Sequence, residues 1–183
     1  HTRAIMVTNP GNPTGAVLSP EEMRLIADIA KEHGLFLISD EVYREFVYGG
    51  EPLASMAQFD DAAENVVVVD SISKRFSACG ARVGILVSRN RELMAQALKI
   101  CQGRLCAATL DQLGAAALYG VGSDYFSAVR EEYHRRRDTC MEGLSQIPGV
   151  VCECPKGAFY LMAKLPVDDT DKFQTWLLEE FQD

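Results

Sequence analysis

The run VVVVDS at 66–71 constrains this chain more than any other feature. Four β-branched residues in succession are stiff at χ1 and favour an extended backbone. They also leave no polar position on either face, so the strand they form is covered on both sides. That is the condition of strands inside parallel α/β sheets. Shorter apolar runs at 4–8 (AIMVT), 35–39 (LFLIS) and 83–88 (VGILVS) read as three further strands. A helix separates the first two. Ser19-Pro20-Glu21-Glu22 opens it, with Ser19 as cap, Pro20 at the first helical position and Glu22 closing a capping box. Apolar residues at 23, 25, 26, 29 and 30 form its buried face, and Gly34 ends it.

After the fourth strand the pattern turns helical. Helices are predicted at 91–102, at 109–119 behind a Thr109…Gln112 capping box, and at 123–146. Short strands follow at 150–154 and 158–164, around Pro148-Gly149 and Pro155-Lys156-Gly157, with a last helix at about 171–182. Strand and helix alternating at this spacing define the α/β class, a mostly parallel sheet flanked by helices. The last third has the character of a small α+β unit. The expected organisation is a partial large domain over 1–122, a connecting helix at 123–146 and the start of a small C-terminal domain over 147–183. Both ends read as cuts inside a longer protein, since the first strand starts almost at once and the chain stops just after a helical stretch.

Composition excludes several functions. A net charge of −8 argues against nucleic acid as a partner, because phosphate binding needs a basic face. The basic cluster His134-Arg135-Arg136-Arg137 follows Glu131-Glu132, the pattern of a solvated helix face. The six cysteines include no CxxC pair, and the three histidines are scattered, so no zinc-ligand spacing exists. Free thiols in a reducing cytoplasm are the expectation. No run reaches the about 18 apolar residues of a membrane span. Neither GxxxxGK[ST] nor GxGxxG occurs, so the usual nucleotide loops are absent.

The chemistry is concentrated where three strands end. In α/β sheets, ligands sit at the carboxyl ends of strands. The first strand runs into Asn9-Pro10-Gly11-Asn12-Pro13-Thr14-Gly15, the second into Ser39-Asp40-Glu41-Val42-Tyr43, the third into Ser71-Ile72-Ser73-Lys74. An amide, a carboxylate, a phenol, hydroxyls and a lysine amine are thereby directed to one sheet edge. An amine can form a Schiff base with a carbonyl. A carboxylate can pair with a protonated ring nitrogen, an amide and a phenol can donate to a phenolate oxygen, and Ser71 with Arg82 can hold a phosphate. Together these match the needs of pyridoxal phosphate. Taken singly each has a plainer reading: a Pro/Gly turn, an Asp-Glu helix cap, a surface lysine.

The three segments NPGNPTG, SDEVY and SISKRFSACGARVG resemble, in order and at suitable spacing, the signatures of class I/II aminotransferases, the fold-type I pyridoxal-phosphate enzymes. PKGAFYLM at 155–162 resembles that family's entry into its small domain. The resemblance covers essentially the whole chain, with aspartate aminotransferase as its nearest overall likeness. It implies that Lys74 binds pyridoxal 5'-phosphate as a Schiff base. It further implies that Asp40 faces the pyridine nitrogen and that Asn12 and Tyr43 donate to the ring oxygen. Ser71 and Arg82 then hold the phosphate, with Ser73 as a lesser helper. Amino acids and 2-oxo acids are the implied substrates, and a cytoplasmic homodimer the implied parent. In that family a phosphate loop and a ring-stacking aromatic lie upstream of the Asn12 position, and a carboxylate-gripping arginine lies downstream. The chain alone is therefore expected to fold, to self-associate and to be inactive. Two alternatives share the scaffold: a lyase or cyclising enzyme, and an aminotransferase-like effector domain of a transcription regulator.

Overall fold

A computed structural model describes residues 1–49 and 53–181. Four strands form one sheet in sequence order: β1 (Ala4–Thr8), β2 (Phe36–Asp40), β3 (Val66–Ser71) and β4 (Gly84–Ser88). β1–β2 and β2–β3 are parallel, with Thr8 opposite Asp40 and Asp40 opposite Val69. β4 returns antiparallel to β3, with Ser71 opposite Gly84. The register puts the ends of β1, β2 and β3 side by side, so the three polar segments leave the sheet from one edge.

α1 (Pro20–Glu32) covers one face of the sheet. Its Ser19 hydroxyl accepts from the Glu22 backbone N–H, and the Glu22 carboxylate accepts from the Ser19 N–H, which closes the box read from the sequence. Gly34 follows at φ +60°, the left-handed conformation that favours glycine. Met23, Ala27 and Ala30, spaced along one helical stripe, pack on Leu37, Val66 and Val68. Val66, Val67 and Val68 are all buried, as an unalternating valine run requires.

The opposite face is covered less completely. α3 (Arg91–Gly103) lies over it and lines a groove with Phe36, Ile38, Val67, Val69 and Leu86. Met6 on β1 and Ile100 on α3 are 67% and 72% exposed, so apolar surface stays open on this side.

α4 (Thr109–Leu118) starts differently from the expected capping box. Ala108 is the cap residue, and Thr109 already lies inside the helix. Gln112 is thereby at the fourth helical position, and its side-chain amide donates to the Ala107 carbonyl at 2.6 Å.

α5 (Ser123–Ser145) runs for 23 residues and touches two cores. Phe126 packs with Ile72, Phe76 and Ala115, while Val129 and Tyr133 pack with Tyr43, Phe46 and Ala158. Its basic cluster is the predicted solvated face only in part: Arg135 and Arg136 are exposed and both pair with Glu132, whereas Arg137 packs over the Tyr48 ring at 5.0 Å and donates to the Pro155 carbonyl at 3.2 Å.

Beyond α5 the strands are shorter than expected. β5 (Val151–Cys152) and β6 (Ala163–Lys164) pair antiparallel over two residues each. Residues 158–162 are not strand. Ala158 has φ +56°, and its N–H donates to the Phe46 carbonyl at 2.8 Å, so the backbone is turned toward the segment after β2. α6 (Thr170–Trp176) is capped by Asp169 and continues as a π-helical turn over Leu177–Phe181. The predicted last helical residue, 182, lies outside the described residues.

Candidate active site

Three backbone segments interlock at the sheet edge. The loop after β1 is held internally by Gly11 N–H to Ala16 O (2.8 Å) and Gly15 N–H to Gly11 O (2.9 Å). Asn9 anchors it: its N–H donates to the Asp40 carbonyl, and its side-chain oxygen accepts from Leu18 N–H, both at 3.0 Å. The Gly15 carbonyl then accepts from the N–H groups of Lys156 and Gly157, each at 2.9 Å. Gly157 pairs in turn with Val47 in an isolated antiparallel bridge. A Cβ on Gly157 would lie 2.6 Å from Val17 and 2.8 Å from Pro10, so only glycine admits this approach. The PKGAFY segment thus clasps both the NPGNPTG loop and the segment after β2.

This frame places the candidate side chains. Asp40 ends β2, and its Oδ1 accepts from the Val42 N–H at 3.2 Å, the Asx-type turn that starts the next loop. Among the described residues its Oδ2 has no hydrogen-bond partner. Tyr43, one turn on, is buried, with the Phe46 and Phe159 rings edge-on to it at centroid separations of 6.5 and 5.1 Å. Its hydroxyl receives the Asn12 amide at 3.5 Å and lies 2.6 Å from the Tyr160 hydroxyl. Burial, then the bond to Tyr160, push the Tyr43 phenol well above the usual range for tyrosine.

Lys74 sits on α2 (Ile72–Arg75), the short helix that Ser71 caps by accepting from Ser73 N–H at 3.3 Å. Its Nζ lies 5.9 Å from the ring centres of both Tyr43 and Phe159. Among the described residues it forms no hydrogen bond or ion pair. A half-buried amine of this kind is available for chemistry. Arg82 follows at φ +56° between α2 and β4 and is exposed. Its guanidinium donates to the Cys79 carbonyl at 2.8 Å. Asn12, Tyr43 and Lys74 are therefore gathered around one phenol, with Asp40 at the strand end beside them. Ser71 begins the turn that carries Lys74, and Arg82 lies in the segment between α2 and β4, where its guanidinium is bonded within its own loop.

Two neighbouring acids are structural. Glu41 is buried, and its Oε1 accepts from Ser39 Oγ, Ser55 Oγ and Met56 N–H, tying the segment before β3 to the end of β2. Arg75, directly after Lys74, is buried against Asp70 at 2.5 Å and lies 3.7 Å from Glu45. Reading the residues alone overlooked Phe159 and Tyr160. The signal was present in PKGAFYLM, but as a boundary between domains rather than as part of the site.

A mostly parallel sheet with one antiparallel return, helices on its faces and this polar edge defines the large domain of a fold-type I transferase, in part. The chain belongs to the aminotransferase class I and II family, whose model matches residues 1–182. It is 39% identical over 163 residues to a probable aspartate/prephenate aminotransferase of Aquifex aeolicus, covering 87% of this chain and 41% of that protein. It is 32% identical to an aspartate aminotransferase of Bacillus subtilis, over 98% of this chain and 48% of that protein. The crystal structure of an aromatic aminotransferase from Pyrococcus horikoshii superposes with a TM-score of 0.88 at 32% identity, covering 99% of this chain and 49% of that one. The chain spans about half the length of the relatives it matches. Among the described residues no helix is long and apolar enough to cross a membrane, and no cluster of metal-ligating residues occurs.

Proposed function

We propose that the full-length protein is a pyridoxal-phosphate-dependent aminotransferase that moves an amino group between an amino acid and a 2-oxo acid. The observation that carries this reading is the Lys74 amine, half-buried and without a hydrogen-bond or ion-pair partner among the described residues, beside a phenol that already holds Asn12. The donor set fits the cofactor: an amine for its aldehyde, the open Oδ2 of Asp40 for its ring nitrogen, Asn12 and Tyr43 for its ring oxygen, Ser71 and Arg82 for its phosphate. When bound, the cofactor supplies an electron sink for the bonds at the substrate's α-carbon.

The chain's own residues do the rest. Lys74 Nζ would hold the cofactor by its aldehyde and, as a free amine, would take and return a proton at the substrate's α-carbon. Asp40 would hold a proton on the ring nitrogen through charge, which would raise the site's capacity to accept electrons in the transition state. Asn12 and Tyr43 orient the ring by its oxygen. Phe159 walls the lysine on one side and keeps water from it.

An aspartate-like substrate accompanies this reading, supported by the names of the relatives, and a homodimeric, cytoplasmic parent belongs to the same proposal. So does the division into a partial large domain over 1–122, a connecting helix over 123–146 and the start of a small domain from 147. This chain alone would self-associate through the open sheet face and would be inactive.

The test is a panel of amino acids offered to the full-length, cofactor-loaded protein. Conversion of the bound cofactor from its aldehyde to its amine form, reversed by a 2-oxo acid, is the expected result. Loss of substrate ammonia without that exchange would mean a lyase instead.

A further inference from the structure

The Tyr43 hydroxyl has more partners than its proton can serve. It accepts from the Asn12 amide at 3.5 Å and shares a 2.6 Å bond with the Tyr160 hydroxyl. Each phenol carries one O–H and two lone pairs. One of the two tyrosines must donate in their mutual bond. Once Tyr43 gives its proton to an acceptor in the site, only Tyr160 can supply the other. The Tyr43 oxygen then receives two donors, Asn12 and Tyr160, and its own proton is left aimed outward.

We infer that Tyr160 is a positioning residue that backs Tyr43, directing the Tyr43 proton onto the cofactor's ring oxygen and strengthening that donation. The inference rests on the reading of Tyr43 as a cofactor ligand. Chained hydrogen bonds polarise one another, the more so away from water. Tyr43 is buried among Phe46, Phe159 and Tyr160. Tyr160 is not free to swing away. Its ring stands edge-on to Tyr43 at 5.5 Å and lies 5.0 Å from Phe159. Its backbone is held through Lys156 and Gly157, which donate to the Gly15 carbonyl at 2.9 Å. The C-terminal segment, which already brings Phe159 against Lys74, thereby contributes a hydroxyl from 117 residues away in sequence.

The effect is readable without turnover. The visible band of the bound cofactor changes with pH, and the midpoint reports how well the ring oxygen's negative charge is stabilised. A donor to that oxygen favours the proton-free form and lowers the midpoint. In the full-length, cofactor-loaded protein, Tyr43→Phe should raise the midpoint. Tyr160→Phe, which keeps the ring and removes only the hydroxyl, should raise it by about half a unit to one unit, the scale of one hydrogen bond. The double variant should match Tyr43→Phe alone, because Tyr160 acts only through Tyr43. A wild-type midpoint in Tyr160→Phe alongside a shifted one in Tyr43→Phe would overturn the inference and leave the cofactor reading intact. Additive shifts in the double variant would also overturn it, since Tyr160 would then act independently. An unmoved midpoint in Tyr43→Phe would remove Tyr43 from the cofactor site and the inference with it.

Discussion

Gly15 and Pro155 approach so closely that a Cβ at position 15 would lie 2.3 Å from the proline's own Cβ. Gly15 also has φ +67°, a conformation that costs a side-chain-bearing residue about 1–2 kcal/mol. The contact joins the loop that carries Asn12 to the segment that carries Phe159 and Tyr160. Gly15→Ala should therefore destabilise the chain through both strain and overpacking, by roughly 2–4 kcal/mol. The check is a shift of the urea midpoint to lower concentration at unchanged slope.

The buried ion pair under Lys74 gives a second prediction. Asp70 is pushed up by burial and drawn back by Arg75, whose Nη2 lies 2.5 Å from it. Removing one partner leaves a buried charge unpaired, so Arg75→Met should cost about 3–5 kcal/mol. Adding Asp70→Asn to that variant should recover part of the loss, because the stranded carboxylate is then gone. Denaturant unfolding of the two variants measures both values.

How much of this arrangement was legible in the sequence depended on whether local signals were enough. The Ser19 capping box and the valine run of β3 were readable because capping chemistry and unalternating burial are written in adjacent residues. The antiparallel return of β4 was not legible in the residues themselves, because the periodicity of VGILVS is the same for either strand direction. The Thr109…Gln112 box failed because the helix starts one residue earlier than its spacing implied, which hands Gln112 to the Ala107 carbonyl. Residues 158–164 read as a strand because AFYLMA is apolar and aromatic. The fold instead spends those aromatics on Tyr43 and Phe46, with Ala158 held at positive φ by the Phe46 carbonyl. The placement of Asn12, Asp40 and Lys74 at one sheet edge was legible because each lies at or just after the end of a strand. Tyr160 was not, because its partner is supplied by a segment distant in sequence.

Stability should fall at high pH. Tyr48 is pushed up to about 12 by burial, against the pull of Arg137, and donates its proton to the Ala158 carbonyl at 2.6 Å. Tyr43 is raised in the same direction. A folded-state pKa above the unfolded value of about 10 contributes stability that is complete below pH 10. That contribution is lost as pH climbs through the folded-state value near 12. Urea midpoints measured from pH 8 upward should stay level and then decline beyond about pH 10. Tyr48→Phe should decline less steeply, since one of the two raised phenols is removed.

Asp40→Asn isolates charge from shape. The amide can still accept from the Val42 N–H through its oxygen, so the turn leading to Tyr43 is kept. Its neutral side chain cannot hold a proton on the cofactor's ring nitrogen by charge. In the full-length protein kcat should fall roughly 100-fold or more while KM changes little, because the lost interaction belongs to the transition state. Single-turnover kinetics with an α-deuterated amino acid would locate the loss at proton removal. An unchanged kcat would take Asp40 out of the mechanism.

The identity of the cofactor-binding lysine is the claim on which the rest depends. Borohydride treatment of the full-length, cofactor-loaded protein, followed by peptide mapping, fixes the cofactor permanently to whichever amine holds it. The label should fall on Lys74, and Lys74→Ala should remain unlabelled while retaining weak, reversible cofactor binding. A label on Lys31, Lys99 or another lysine, with Lys74 unmodified, would contradict the account.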